Sequence, residues 1–89
     1  IFIMTYSVKW RPKVLDELEK LPKVVSKRIV RKIDSITEAP LHFLEKLVGD
    51  PGYKLRVGDY RVIIDVIENE KILAIRVVGH RRNVYEKNL

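Results

Sequence analysis

Apolar positions in this chain first alternate, then recur at helical spacing, then alternate again, and that order outlines a fold. In residues 4–10 the side chains of Met4, Tyr6, Val8 and Trp10 share one side, which predicts a first strand. Pro12 suits the first turn of a helix, where a missing N–H costs nothing. Val14, Leu15, Leu18 and Leu21 follow at helical spacing, and Pro22 punctuates. A second helix is predicted from Lys23 to Glu38, with Val25, Ile29, Ile33 and Ile36 as its buried stripe and Pro40 as its stop. Almost no loop separates the two, so they read as a helical hairpin. Residues 41–48 fit either one more short helical turn or an ordered loop, and Gly49-Asp50-Pro51-Gly52 is a turn.

Three strands are predicted next, Tyr53–Val57, Tyr60–Ile67 and Lys71–Gly79. Gly58-Asp59 and Glu68-Asn69-Glu70 join them and are short enough for hairpins. A short helix or arm from Arg82 to Leu89 closes the chain. The order β-α-α-β-β-β predicts a two-layer α+β domain spanning residues 1–89. Its N-terminal strand and helical hairpin pack on an antiparallel sheet, whose other face stays open.

Strand periodicity sorts the side chains between those faces. Tyr60, Val62, Ile64 and Val66 should meet the helices, joined by Leu55 and Val57 and by Leu73, Ile75 and Val77. The open face then collects Lys54, Arg56, Arg61 and Arg76, and also His80 if the last strand stays regular. Like charges on adjacent strands repel, so a bound anion would explain them better than folding does. The alternative is a solvated face in which Asp65 serves as counter-ion to Arg61 or Arg76. The second helix has a basic flank of its own, Lys23, Lys27, Arg28, Arg31 and Lys32. It fits an ordinary solvated face, or else an auxiliary contact to an RNA backbone through residues such as Lys27 and Arg31.

Composition narrows the partners. Eighteen Lys and Arg against twelve Asp and Glu give a formal charge of +6 on 89 residues, which favours a polyanion. The chain has no cysteine, hence no disulfide framework and no thiolate metal site. The apolar start Ile1-Phe2-Ile3-Met4 is too short for a signal segment or a membrane span. A cytoplasmic protein without a membrane partner is expected.

The densest chemistry lies in Gly79-His80-Arg81-Arg82-Asn83-Val84-Tyr85, where an imidazole, two guanidiniums and a phenol fall within seven residues. No glycine-rich phosphate loop, serine elbow or carboxylate cluster with metal-ligand spacing is present, so neither a metal nor a cofactor is expected. RNA carries its own nucleophile, the 2′-OH, and its cleavage needs a base, an acid and positive charge around the phosphate. Arg61 and Arg81 are candidates for a bidentate phosphate clamp. His80 is the residue type suited to proton transfer near neutrality, though it could equally bind phosphate or cap its strand. Tyr85 could supply a proton, stack on a base, or simply pack the tail onto the sheet. Arg56, Arg76 and Arg82 are candidate RNA contacts.

Taken in order, Tyr53-Lys54-Leu55-Arg56, Gly58-Asp59-Tyr60-Arg61 and Val78-Gly79-His80-Arg81-Arg82-Asn83-Val84-Tyr85 after a helical hairpin resemble the RelE/ParE toxin superfamily, its RelE branch most closely. The resemblance runs from about Tyr6 to Tyr85. It implies the toxin of a type II toxin–antitoxin pair that cuts mRNA in the ribosomal A site by metal-free attack of the 2′-OH. It also implies a cognate antitoxin, and operator DNA bound through the antitoxin complex. On this resemblance Lys54, Arg56 and Arg61 match the family's sheet cations, Arg81 its C-terminal arginine and Tyr85 its terminal tyrosine. The sequence departs from the best-studied RelE enzymes at Gly52, where they carry a further lysine, and His80 could take part of that missing role. A gyrase inhibitor of the ParE kind, or a non-catalytic member that binds antitoxin and operator, are the competing implications.

Overall fold

A computed structural model describes residues 5–84. Strand β1 (Ser7–Trp10) leads into helix α1 (Pro12–Glu19) and helix α2 (Lys23–Ser35), and a single 3₁₀ turn (Pro40–His42) follows. The remaining elements are strands β2 (Glu45–Lys46), β3 (Tyr53–Val57), β4 (Tyr60–Ile67) and β5 (Ile72–His80). They form one five-stranded sheet in the order β1-β5-β4-β3-β2. Among the described residues only the β1–β5 pair is parallel. Two helices on one face of a mostly antiparallel sheet make the α+β arrangement that the pattern predicts.

The core between the layers is aliphatic. Val14 and Leu18 of α1 and Ile29 and Ile33 of α2 pack with Leu55, Val62, Ile64, Leu73 and Ile75 of the sheet. Burying such side chains completely is worth about 1.5–3 kcal/mol each. Tyr6 also belongs to this core, and its hydroxyl donates to the Glu68 carboxylate while Lys71 sits 5.1 Å from its ring centre. Trp10 packs against the same cluster. Among the described residues no helix is long and apolar enough to cross a membrane.

Three details depart from the sequence pattern. Helix α2 ends at Ser35 rather than Glu38, because local bonds at its end compete with further helix. The Thr37 hydroxyl donates to the Asp34 carbonyl at 2.9 Å, and the Thr37 carbonyl accepts from the Tyr6 amide at 2.9 Å. Residues 41–48 contain a strand, β2, paired with β3 through Glu45–Lys54 and Lys46–Tyr53. Strand β5 is irregular: Ile63 pairs Val77 while Ile64 pairs Ile75, which leaves Arg76 as an extra residue. Such a bulge reverses the facing of everything beyond it. Val78 therefore joins the helix-side core, and Val77 turns to the opposite face.

The face expected to stay open is consequently half covered. Ile63, Val77 and Val84 form a second small buried cluster there, with Leu47 packed against it. Two segments thus close over the sheet, one approaching through β2 and the other through the chain after β5. What remains accessible between them is the end of the sheet near the β3–β4 turn.

Candidate functional site

Positive charge converges at that end of the sheet. Arg56 and Arg61 are direct cross-strand partners, and Arg61 is flanked on its other side by Gly79. Gly58, at φ +59°, lets the chain reverse tightly between them. The reversal turns two carbonyls toward Arg61, whose Nη1 donates to Gly58 O and Tyr60 O, both at 2.9 Å. Arg61 is only 8% exposed. Among the described residues no carboxylate pairs with it. Carbonyl dipoles fix the guanidinium without cancelling its charge, so a buried cation is held ready for an anion.

The segment after β5 completes the site. The Arg81 amide donates to Asp59 O at 2.8 Å, which docks the segment on the β3–β4 turn. The Arg82 amide donates to His80 Nδ1 at 3.2 Å, and the Asn83 amide to His80 O at 2.9 Å. Val84 then anchors the turn in the second apolar cluster. Arg81 and Arg82 are thereby brought beside Lys54, Arg56 and Arg61 around a concavity of about 410 Å³. One carboxylate, Glu45, also lines it, 3.6 Å from the Lys54 ammonium. Five cations against one carboxylate suit a phosphate with the sugar or base attached to it.

Not every candidate converges there. Arg76 makes four hydrogen bonds to Asp50 and Asp65, among them Nη1 to Asp50 Oδ2 at 2.9 Å and Nε to Asp65 Oδ2 at 3.1 Å. The counter-ion role foreseen for Asp65 thus falls on Arg76, which lies outside the concavity as a braced, neutralised group. Hydrogen bonds from Arg76, then one from the Gly52 amide, hold the Asp50 carboxyl down at about 2. This network also accounts for the glycine at position 52. A Cβ there would stand 2.5 Å from Arg76 Nη2 and 3.0 Å from Asp50 Oδ1, so no longer side chain fits while the network is intact.

His80 is likewise displaced from the place expected of it. The bulge carries it to the helix side, where its ring meets Tyr60 edge-on at 5.5 Å between centres, near Glu17 of α1 and Lys20 just after that helix. Lys27 and Arg31 lie on the exposed side of α2, around a separate groove. Tyr85 lies outside the described residues. Among the described residues no group of three His, Cys, Asp or Glu side chains could hold a metal ion. Glu45 is the pocket residue that sequence reasoning missed. A two-residue strand shows no alternation, although Glu-Lys and Lys-Leu-Arg on either side of Gly49–Gly52 hint at a hairpin.

Fold and pocket together define a small α+β protein with a cation-lined concavity at the edge of its sheet. Residues 8–85 match the family described as ParE toxin of type II toxin-antitoxin system, parDE. The chain is 32% identical to a RelE-like toxin protein of Escherichia coli, over 97% of its own length and 94% of that protein. It is 30% identical to the mRNA interferase toxin RelE of Escherichia coli K12, over 88% of its length and 85% of the relative. It also superposes on the archaeal RelE–RelB complex from Pyrococcus horikoshii with TM-score 0.72 and 33% identity, covering 88% of this chain and 97% of that one. The chain belongs to the RelE/ParE toxin superfamily and is a type II toxin of its RelE family.

Proposed function

We propose that this toxin is an endoribonuclease that cuts mRNA in the ribosomal A site and so stops translation. The observation that carries the proposal is Arg61, buried and held by neutral carbonyls within a pocket of four further cations. In the proposed step a ribose 2′-oxygen attacks the adjacent phosphorus and the P–O5′ bond breaks. The products are a 2′,3′-cyclic phosphate and a 5′-hydroxyl, and no metal is required. Arg61 and Arg81 hold the phosphate oxygens and stabilise the charge that develops on them, usually the largest catalytic contribution. Lys54 adds charge beside them. Glu45 is the carboxylate among the lining side chains, which suits it to receive the 2′-OH proton. Tyr85 donates a proton to the leaving oxygen, a role that rests on the family resemblance.

His80 takes a different part in this scheme. Its Nδ1 accepts from the Arg82 amide, so it shapes the turn that carries Arg81 and Arg82. We assign it as a positioning residue. Arg56 and Arg82 contact neighbouring phosphates. The RelE structures solved with RelB support a cognate antitoxin as partner, and operator DNA reached through that complex rests on the family resemblance alone.

The test maps 5′ ends on translated mRNA in the presence of the wild-type chain and of Arg81→Ala. Cuts within the A-site codon that vanish in the variant are expected. The matched family is described as a ParE toxin, and resemblance to that branch implies one other reading, inhibition of DNA gyrase. Intact mRNA with blocked supercoiling would select it.

A further inference from the structure

A second cationic groove, of about 670 Å³, lies between α2 and the end of β3. Lys27, Arg28, Arg31 and Lys32 line one wall and Arg56 the other. Arg56 also lines the catalytic pocket, so the two concavities share a wall. Gly58 lies at their junction. Its carbonyl accepts from Arg61 on the pocket side, while Arg28 Nη1 on the groove side stands 2.8 Å from where a Cβ at Gly58 would be. A glycine there lets both guanidiniums approach the same turn.

The helix gains nothing for itself from this arrangement. Lys27 and Arg31, like Arg28 and Lys32, are like-charged pairs four residues apart, each a mild destabilisation of the helix. Each pair repeats after about 6 Å of helix rise, comparable to the spacing of successive phosphates in an extended strand. The groove's lining holds two apolar side chains, Val24 and Val57, against five cations, fewer apolar anchors than a bound peptide helix requires. The apolar cleft of this protein adjoins it, between α1 and α2 around Leu15, Leu18 and Val30, and Lys27 and Arg31 stand on the ridge between the two.

We propose that this groove binds the phosphate backbone of the same RNA strand that is cut in the neighbouring pocket. This rests on the nuclease reading of that pocket and extends it by giving the substrate a path: scissile phosphate at Arg61 and Arg81, flanking phosphates past Arg56 and along α2. The contacts are to backbone, so they add affinity without choosing a sequence.

The test compares the wild-type chain with Lys27→Gln/Arg31→Gln. Two RNAs are used, each with a single 2′-deoxy sugar that blocks cleavage: a trinucleotide, and a strand of about ten nucleotides. Both substituted residues are exposed, and circular dichroism confirms that the variant folds. The longer RNA should bind the wild type at least tenfold more tightly than the trinucleotide. The double variant should lose that advantage and keep its trinucleotide affinity. Its salt dependence on the longer RNA should fall by about 1.4 in log–log slope, as expected for two lost single-strand phosphate contacts. Equal affinity of both proteins for the longer RNA overturns the proposal. So does a defect confined to binding of the antitoxin, which would make the groove a protein site. A groove that passes these tests in a protein that never cuts translated mRNA would stand, while the nuclease reading would fall.

Discussion

Gly52→Ala is a small change with a predicted sign reversal. The backbone at Gly52 is not in the left-handed region, so alanine is conformationally allowed, and such a change normally stabilises by about 0.4–1 kcal/mol through the unfolded chain. Here the new Cβ would lie 2.5 Å from Arg76 Nη2. That atom is the far end of a flexible side chain and can move, but moving it loosens its hydrogen bonds to Asp50 and Asp65. The Arg76 side chain is 14% exposed, so this loss falls between a surface ion pair and a fully buried one. About 2 kcal/mol is expected, or about 1–2 kcal/mol after the unfolded-state gain. For a chain of 89 residues that lowers Tm by roughly 4–16 °C. In an Arg76→Ala background the obstacle is gone, and Gly52→Ala should instead stabilise by about 0.5 kcal/mol. Urea and thermal unfolding of the four proteins of this cycle measure both values. Equal destabilisation in the two backgrounds would refute displacement of the guanidinium as the cause.

The same network sets an acid limit. Asp50 has a folded value of about 2, below its ordinary 3.8, so its contribution is complete above the ordinary value and is lost as pH falls through 2. Asp50→Asn should therefore flatten the stability profile across that acid window, as followed by denaturation at stepped pH. At His80, asparagine can return an acceptor near the Nδ1 position whereas glutamine places its amide near Nε2. A positioning role predicts that His80→Asn retains clearly more cleavage than His80→Gln, while equal loss in both would point to proton transfer. Val84→Ala should cost about 2 kcal/mol by opening a cavity against Ile63 and Val77, and should lower cleavage further by loosening the turn that carries Arg81 and Arg82. Single-turnover kinetics alongside unfolding measurements checks both effects.

Most of the layered architecture was legible because alternation and helical spacing survive in single segments. Leu18, Ile29, Ile33, Val62 and Ile64 lie where their periodicity puts them. The failures share a cause: each depends on a contact distant in sequence. Arg76 is extruded from β5, and nothing in Ile72–His80 announces the bulge, which brings that guanidinium to Asp50 and Asp65. One displaced residue then carried Val78 and His80 to the other face. Strand β2 exists only by pairing with β3, so Glu45 entered the pocket unannounced. Lys54, Arg56, Arg61, Arg81 and Arg82 were readable as candidates because both of their clusters adjoin recognisable strands, and the structure brings all five together.

The central claim is that this pocket directs a ribose 2′-oxygen onto the neighbouring phosphate. Analysis of the cut ends on ribosome-bound mRNA tests it most directly. A 2′,3′-cyclic phosphate facing a 5′-hydroxyl, with no cut when the attacking ribose is 2′-deoxy, is the predicted result. A 3′-hydroxyl facing a 5′-phosphate, or cleavage that persists on the deoxy substrate, would contradict it.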